Sequence, residues 1–169
     1  MPHHASHRLR GMEKTLAQIT EAQQLVAGMP TPEAVRQMEY LLLQLPQIDL
    51  HTQQLVHGGM AARTIFIQAG TVLTGALTNL DNLCVAFGDI TVTTDEGPVR
   101  LTGFNVIPAR AGAKRAGVAH SDTWWVCIWR TDLTDPIAIE DEMTSESEML
   151  QTRRDAIAFD EPDTLENQP

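Results

Sequence analysis

Residues 70–90 read GTVLTGALTNLDNLCVAFGDI. A glycine opens the stretch, apolar residues alternate with small or polar ones, and LCVAFGDI (83–90) closes it with a Gly-Asp pair. Alternation with a period of two marks a strand with one face buried, so this stretch reads as two strands joined by the turn-rich TNLDN. The pattern continues on both sides. RTIFI (63–67), VLTGAL (72–77), LCVAF (83–87), DITVTT (89–94), VRLTGFNVIPA (99–109) and TWWVCIWRT (123–131) are short, rich in β-branched and aromatic residues, and separated by turn residues. TTDEGPV (93–99) is a hairpin turn. Many short strands at close spacing with no helix between them predict a jelly roll or small barrel and argue against a parallel α/β sheet.

Helical signals flank this β region. In MPTPEAVRQMEYLLLQLP (29–46), Thr31 is a candidate N-cap, Pro32 suits the first helical position, and Glu33 sits near the positive helix end. Val35, Met38, Leu41, Leu42 and Leu45 then fall on one stripe, and Pro46 ends the helix. The preceding MEKTLAQITEAQQLVAG (12–28) is a weaker amphipathic helix with Leu16, Ile19 and Val26 on one side. Helices with one stripe each must pack on the barrel or on another subunit. PQIDLHTQQLVHGGMAA (46–62) reads as an extended linker with a Gly-Gly break. After the barrel, Asp135 and Pro136 start a second helical region over 135–159, with Arg153 and Arg154 near its far end, and DEPDTLENQP (160–169) reads as a disordered tail. The expected organisation is a helical arm and linker (1–62), a β-barrel (63–130), and an acidic helix with its tail (131–169).

The 169 residues suit one domain with appendages, and a hydrophobic content of 43% is enough for a core. A net charge of −10 argues against a nucleic-acid partner. No run is long enough for a membrane span, and the basic, His-rich start has no apolar stretch behind it, so the protein is expected to stay in the compartment where it is made. Cys84 and Cys127 lie in apolar strand-like runs and read as buried thiols acting as small hydrophobes.

Three places carry candidate chemistry. PARAGAKRAG (108–117) gathers Arg110, Lys114 and Arg115 in an acidic protein. It reads as a loop that binds an anion such as a sugar phosphate, or an acidic partner surface, or as a solvated turn. His120 and Asp122, two apart in AHSDT (119–123), would share a face of a strand as an acid–base pair. The plainer alternative is a histidine bonded to a nearby carbonyl and an aspartate capping a turn. In TWWVCIWRT, Trp125, Cys127 and Trp129 lie on one face and Trp124, Val126 and Ile128 on the other. A strand apolar on both faces needs cover on both, from a helix of the same chain or from a second subunit.

GTVLTG, FGDITVTTDEG and GFNVIPARAGAKRAG together resemble the two motifs of the cupin family. That resemblance implies a single jelly-roll barrel in which two histidines and a glutamate of the first motif, and one histidine of the second, hold a divalent metal. Here the first motif offers Ala76, Thr78, Asn79, Asp81 and Asn82, and the second offers Arg115, a cation that would repel a metal. No metal or other cofactor and no catalytic residue is therefore expected. ARTIFIQAGTVLTGAL and RLTGFNVIPARAGAKRAGVAHSDTWW resemble, more narrowly, a small cupin-like protein family of tailed bacteriophages. Members of that family are often encoded among phage structural genes, and a barrel without its metal ligands, a doubly apolar strand and single-striped helices together suggest a non-catalytic virion component, most simply a capsid decoration protein assembled in the bacterial host cytoplasm. Its partners would be the major capsid protein or other virion proteins, and it would form a homo-oligomer. Its contacts would come from Trp124, Trp125, Arg110, Lys114, Arg115, Val35, Met38 and Leu42. The alternative is a metal-free cupin enzyme or small-ligand binder with Asp81, Arg115, His120 and Asp122 in its pocket; an anti-defence protein made early in infection is a third class.

Overall fold

The computed structural model describes residues 31–94 and 96–154. The helix expected over 12–28 and the tail beyond 154 lie outside the described residues. The order is α1 (Pro32–Leu42), β1 (Gln53–His57), β2 (Met60–Ile67), β3 (Val72–Thr74), β4 (Asn82–Thr94), β5 (Gly97–Ala109), β6 (Ala116–Ala119), β7 (Thr123–Arg130), α2 (Pro136–Met143) and a 3-10 turn over Ser147–Met149. All pairings are antiparallel, and the sheet runs β1-β2-β7-β4-β6-β3 with β5 on the other edge of β4. The molecule is mainly β: a curled antiparallel sheet with one helix before it and one after it.

The curl originates in β4. LCVAF and DITVTT, read separately in the sequence, are one 13-residue strand. Its first half pairs with β7 (Leu83↔Ile128 to Phe87↔Trp124) and its second with β6 (Ile90↔Ala119 to Val92↔Gly117). The change of neighbour falls at Gly88, whose φ is 146° and whose Cβ, were one present, would lie 2.4 Å from Thr123 Oγ1. Facing it on β5 is Gly103, also at positive φ (70°). Paired glycines at one level let the β4–β5 ribbon bend without a side-chain clash, and the sheet wraps around a concave inner face.

Alternation sorts the side chains as the sequence predicts. Cys84, Ala86, Ile90 and Val92 of β4 face inward and are buried. Ile67, Ile90, Val92 and Ala119 form one inner cluster, flanked by Ile65, Leu73, Leu101 and Trp125. Trp129 packs with Ala61, Ile139 and Met143 where α2 closes one end. The other end is closed by α1, whose Val35 and Met38 bury against Ala116 with Leu42 and Val72 alongside.

Local signals behave as expected at the helix starts. Thr31 Oγ1 accepts from Ala34 N at 3.3 Å, and Asp135 Oδ2 from Ala138 N at 2.8 Å. The ends differ. α1 stops at Leu42, short of the expected Leu45, and the chain then turns through Gln44 and Leu45, whose amides bond Leu41 and Leu42 carbonyls. α2 stops at Met143, where Thr144 is extended and its hydroxyl takes the Glu146 amide, as a short polar side chain does when it competes with the helix; helix resumes over 151–154, and the remainder of the stretch expected to be helical lies outside the described residues. The linker 46–62 is not all linker. Gln53–His57 pairs with β2 around Gly58 and Gly59, so the sheet begins ten residues before 63. AGVA (116–119), which overlaps the last two residues of the stretch read as a basic loop, is strand β6.

Candidate ligand-binding cavity

The concave face encloses a cavity of about 540 Å³. Its floor is the inward side of β4 and β7 with Asn82, Cys84, Ile90, Trp125 and Cys127, and its rim includes the 43–50 segment after α1. Most of the lining is apolar; Arg154 joins it from beyond α2, and two guanidiniums enter it from the sheet side, Arg63 and Arg115.

These two arginines differ in their partners. Arg63 projects inward from β2 opposite Cys127 and is nearly buried; its Nη1 donates to Glu140 Oε1 at 2.7 Å and its Nη2 to the Thr152 hydroxyl at 3.2 Å. Glu140 also receives Thr152 Oγ1 at 2.7 Å and Arg153 Nε. Burial pushes the Glu140 carboxyl up, but these hydrogen bonds and the Arg63 charge outweigh it and hold it below its ordinary 4.5. Arg63 is therefore a neutralised wall. Arg115 stands just before β6, its carbonyl accepting from Gly75 N at 2.8 Å. Its side-chain contact among the described residues is Nη1 to Cys84 Sγ at 3.9 Å, and no carboxylate there lies within ion-pair distance. A half-buried guanidinium facing a cavity without an ion-pair partner is a ready donor fork for a carboxylate or phosphate.

The thiols complete the floor. Cys84 and Cys127 face each other in register, Sγ to Sγ 3.8 Å, and Trp125 Nε1 donates to Cys127 Sγ at 3.3 Å. Two thiols, an asparagine and a guanidinium do not fit the histidine-and-carboxylate set that the cupin resemblance implies. Among the described residues no group of three or more His, Cys, Asp or Glu side chains is placed to hold a metal ion.

The predicted pocket of Asp81, Arg115, His120 and Asp122 is not brought together. Only Arg115 lines the cavity. Asp81 Oδ1 caps the distant turn at Ala111 and Gly112 by accepting from Ala111 N at 2.8 Å, and Asp122 Oδ1 accepts from Ala69 N at 2.9 Å. His120 is exposed and pairs Nε2 with the Thr91 hydroxyl at 2.8 Å. The plainer reading holds for Asp122, a turn cap, while His120 bonds a hydroxyl rather than a carbonyl.

The predicted contact residues also separate. Val35 and Met38 are buried on this chain's own sheet, and Leu42 packs beside them. Lys114 is not a free docking cation: its side chain is 0% exposed, with Nζ 3.0 Å from Glu39 Oε2 and 2.7 Å from Glu146 Oε2. Trp125 faces the cavity, whereas Trp124 is 43% exposed on the outer face and Arg110 is exposed. Around Trp124 the register sets Phe87 (59% exposed) and Phe104 (70%), then Val126, Val85 and Val106, then Ile128, Leu83 and Pro108. Among the described residues nothing covers this face. The sequence contained one signal for the cavity residues: Arg63 and Cys127 occupy inward positions of alternating strands, a polar or reactive group where an aliphatic one would serve.

Fold and cavity define a mainly β protein with a ligand-sized hollow on the concave face of a curled antiparallel sheet. No protein-family model and no curated protein matches the sequence. Solved structures similar to part of it include KdgF from a Halomonas species, at 17% identity over 50% of this chain and 80% of that one, TM-score 0.42. A cupin-2 domain protein from Shewanella frigidimarina overlaps 52% of this chain and 87% of its own at 8% identity and TM-score 0.40. A cupin superfamily protein from Desulfitobacterium hafniense overlaps 56% and 87% at 13% identity and TM-score 0.40.

Proposed function

We propose that this protein binds a small organic anion in the cavity of its curled sheet, with Arg115 as the anchor for a carboxylate or phosphate and the apolar lining as the seat for the rest of the molecule. The carrying observation is the Arg115 guanidinium, turned into a cavity of about 540 Å³ with no carboxylate beside it among the described residues. That volume lies in the usual range for small-molecule sites, roughly 300–1,000 Å³. The same charge on Arg63 is spent on Glu140 and cannot serve as well. The test is a thermal-shift panel of aromatic and aliphatic carboxylates and phosphate esters, followed by calorimetry on any hit. A ligand at a hundred times its Kd adds about 2.7 kcal/mol of stability, and Arg115→Met abolishes that gain. A hit whose affinity survives Arg115→Met sinks the reading.

A second reading is a non-catalytic virion component, most simply a capsid decoration protein. It is favoured by the outer face of Trp124, Phe87, Phe104 and Val106, and by the 13-residue β5, whose far edge has no partner among the described residues. An exposed apolar face beside an open edge is a surface for association, first with a second copy of the chain. Purified particles analysed by mass spectrometry decide it: a fixed ratio to the major capsid protein supports the reading, and no peptides of this chain overturn it.

A further inference from the structure

Cys84 and Cys127 are both free. They stand directly opposite each other on adjacent antiparallel strands, with 3.8 Å between the sulfurs, and both line the cavity. Facing residues of an antiparallel pair have Cα atoms about 4.5–5.5 Å apart, inside the window of about 4.4–6.8 Å that a disulfide spans. Closing the bond therefore takes side-chain rotation and no movement of either strand. A register shift of one residue would have placed one sulfur outside the sheet.

The surroundings are not those of two inert apolar thiols. The Trp125 indole N–H donates to Cys127 Sγ, and the Arg115 guanidinium reaches Cys84 Sγ. Donors and cations directed at a sulfur stabilise its thiolate. We propose that Cys127 and Cys84 form a cavity-facing dithiol that reduces a small hydroperoxide, with Cys127 as the attacking sulfur and Cys84 as the resolving one. This assignment is separate from the anion-binding reading and stands or falls on its own test.

The chemistry balances in two steps. The Cys127 thiolate attacks the terminal peroxide oxygen; an S–O bond forms, the O–O bond breaks, and the leaving alkoxide takes a proton and departs as an alcohol, or as water from hydrogen peroxide. Cys84 then attacks the sulfenic sulfur. The S–S bond forms, the S–O bond breaks, and hydroxide leaves as water with the proton that Cys84 gives up. Two thiols and one hydroperoxide become one disulfide, one alcohol and one water. The protein is oxidised by two electrons and the peroxide reduced by two.

The two roles follow from the contacts: Cys127 Sγ accepts the Trp125 N–H at 3.3 Å, whereas the Cys84 thiol donates its proton to Asn82 Oδ1 at 3.3 Å. The hydrogen bond between the two sulfurs pulls Cys127 down to about 7 against the cost of its burial, and the Trp125 N–H and the charges of Arg63 and Arg115 add to the effect. Cys84 is pushed up by that same hydrogen bond, by burial and by the charge of its neighbour. One sulfur thus carries the charge near neutral pH, and the other keeps the proton it releases in the second step.

The experiment treats the full chain, folded and reduced, with one equivalent of hydrogen peroxide, then quenches, denatures and alkylates it for mass spectrometry. Both thiols are expected to disappear together, in a monomer on a non-reducing gel, and to return with dithiothreitol. The rate should exceed that of free cysteine in the same buffer by about tenfold or more and rise with pH through about 7. Cys84→Ser should halt at a sulfenic acid on Cys127 that dimedone traps, and Cys127→Ser should leave Cys84 alkylatable. The proposal is overturned by thiols that remain alkylatable, by oxidation no faster than free cysteine, or by disulfides only between molecules. The measurement on the unaltered protein decides it even where a serine variant fails to fold.

Discussion

Replacing Lys114 with methionine removes one ammonium and leaves two carboxylates in a half-closed site. Lys114 Nζ lies 3.0 Å from Glu39 of α1 and 2.7 Å from Glu146 beyond α2, and its side chain is 0% exposed. Breaking a buried ion pair by deleting one partner costs about 3–5 kcal/mol, because the surviving charge stays desolvated. Two observations place this site at the lower end. Glu39 and Glu146 keep 15% and 18% of their side-chain surface in solvent. Among the described residues Glu146 also retains the Leu77 amide at 2.9 Å and Arg36 Nε at 3.2 Å, whereas Glu39 keeps only a 3.4 Å contact with the Thr74 hydroxyl. The expected loss is about 3 kcal/mol, which for a chain of this size lowers Tm by roughly 6–12 °C. Urea titration followed by far-ultraviolet circular dichroism measures it as a shift in midpoint with unchanged slope. The triple variant Lys114→Met, Glu39→Gln, Glu146→Gln should recover most of the loss, since no charge is then stranded. A single variant within about 0.5 kcal/mol of the parent, the usual range for an exposed lysine, refutes the burial argument and returns Lys114 to the surface role its sequence context predicts.

Acid should weaken the same region. For Glu146, burial raises the carboxyl, but the Lys114 and Leu77 hydrogen bonds and the Lys114 charge outweigh it, so its folded value lies below 4.5. A depressed carboxylate stabilises the fold above its unfolded pKa and loses that contribution as pH falls through the folded value. Urea midpoints should therefore be flat near neutrality and fall steadily below about pH 4.5; midpoints that rise on acidification contradict the two networks. Gly88→Ala should cost at least about 2 kcal/mol, since the new Cβ meets Thr123 Oγ1 at 2.4 Å and the Asp122 carbonyl at 2.6 Å at a φ of 146°. Gly103→Ala, at φ 70° with open space around it, should cost only about 1 kcal/mol; equal thermal shifts for the two would discount the close approach at Gly88. On the outer face, Phe104→Asp should abolish any self-association seen by light scattering while leaving the melting temperature within a few degrees. An oligomer that survives it does not use that face.

The strands were legible because alternation needs only the sequence and a buried side. RTIFI, LCVAF, VRLTGFNVIPA and TWWVCIWR all lie in strands, whereas VLTGAL is strand only over Val72–Thr74, and the two faces of TWWVCIWR were assigned correctly. Thr31 and Asp135 announced their helices through hydroxyl and carboxylate caps that act over three residues. β1 was not legible, because QQLVH is weakly apolar and becomes a strand only by pairing with β2. AGVA was hidden by the basic residues before it, and its small side chains carry no period.

The site was less legible than the fold. Period-two patterning says that Cys84, Cys127, Trp125 and Arg63 point inward, and nothing in the sequence says that they point at one another. Their meeting depends on the register of β4, β7 and β2, which is set by hydrogen bonds between segments up to about seventy residues apart. Three cations in PARAGAKRAG look alike in one dimension. The tertiary structure sends Arg110 to solvent, Lys114 into an ion-pair cluster with α1 and Glu146, and Arg115 into the cavity. Sequence alone determined which residues a strand shows to the core, because that choice is local and repeats every two residues. Which charge meets a carboxylate, which meets solvent and which is left facing a cavity is decided by segments distant in the chain, and only the packed fold brings those segments together.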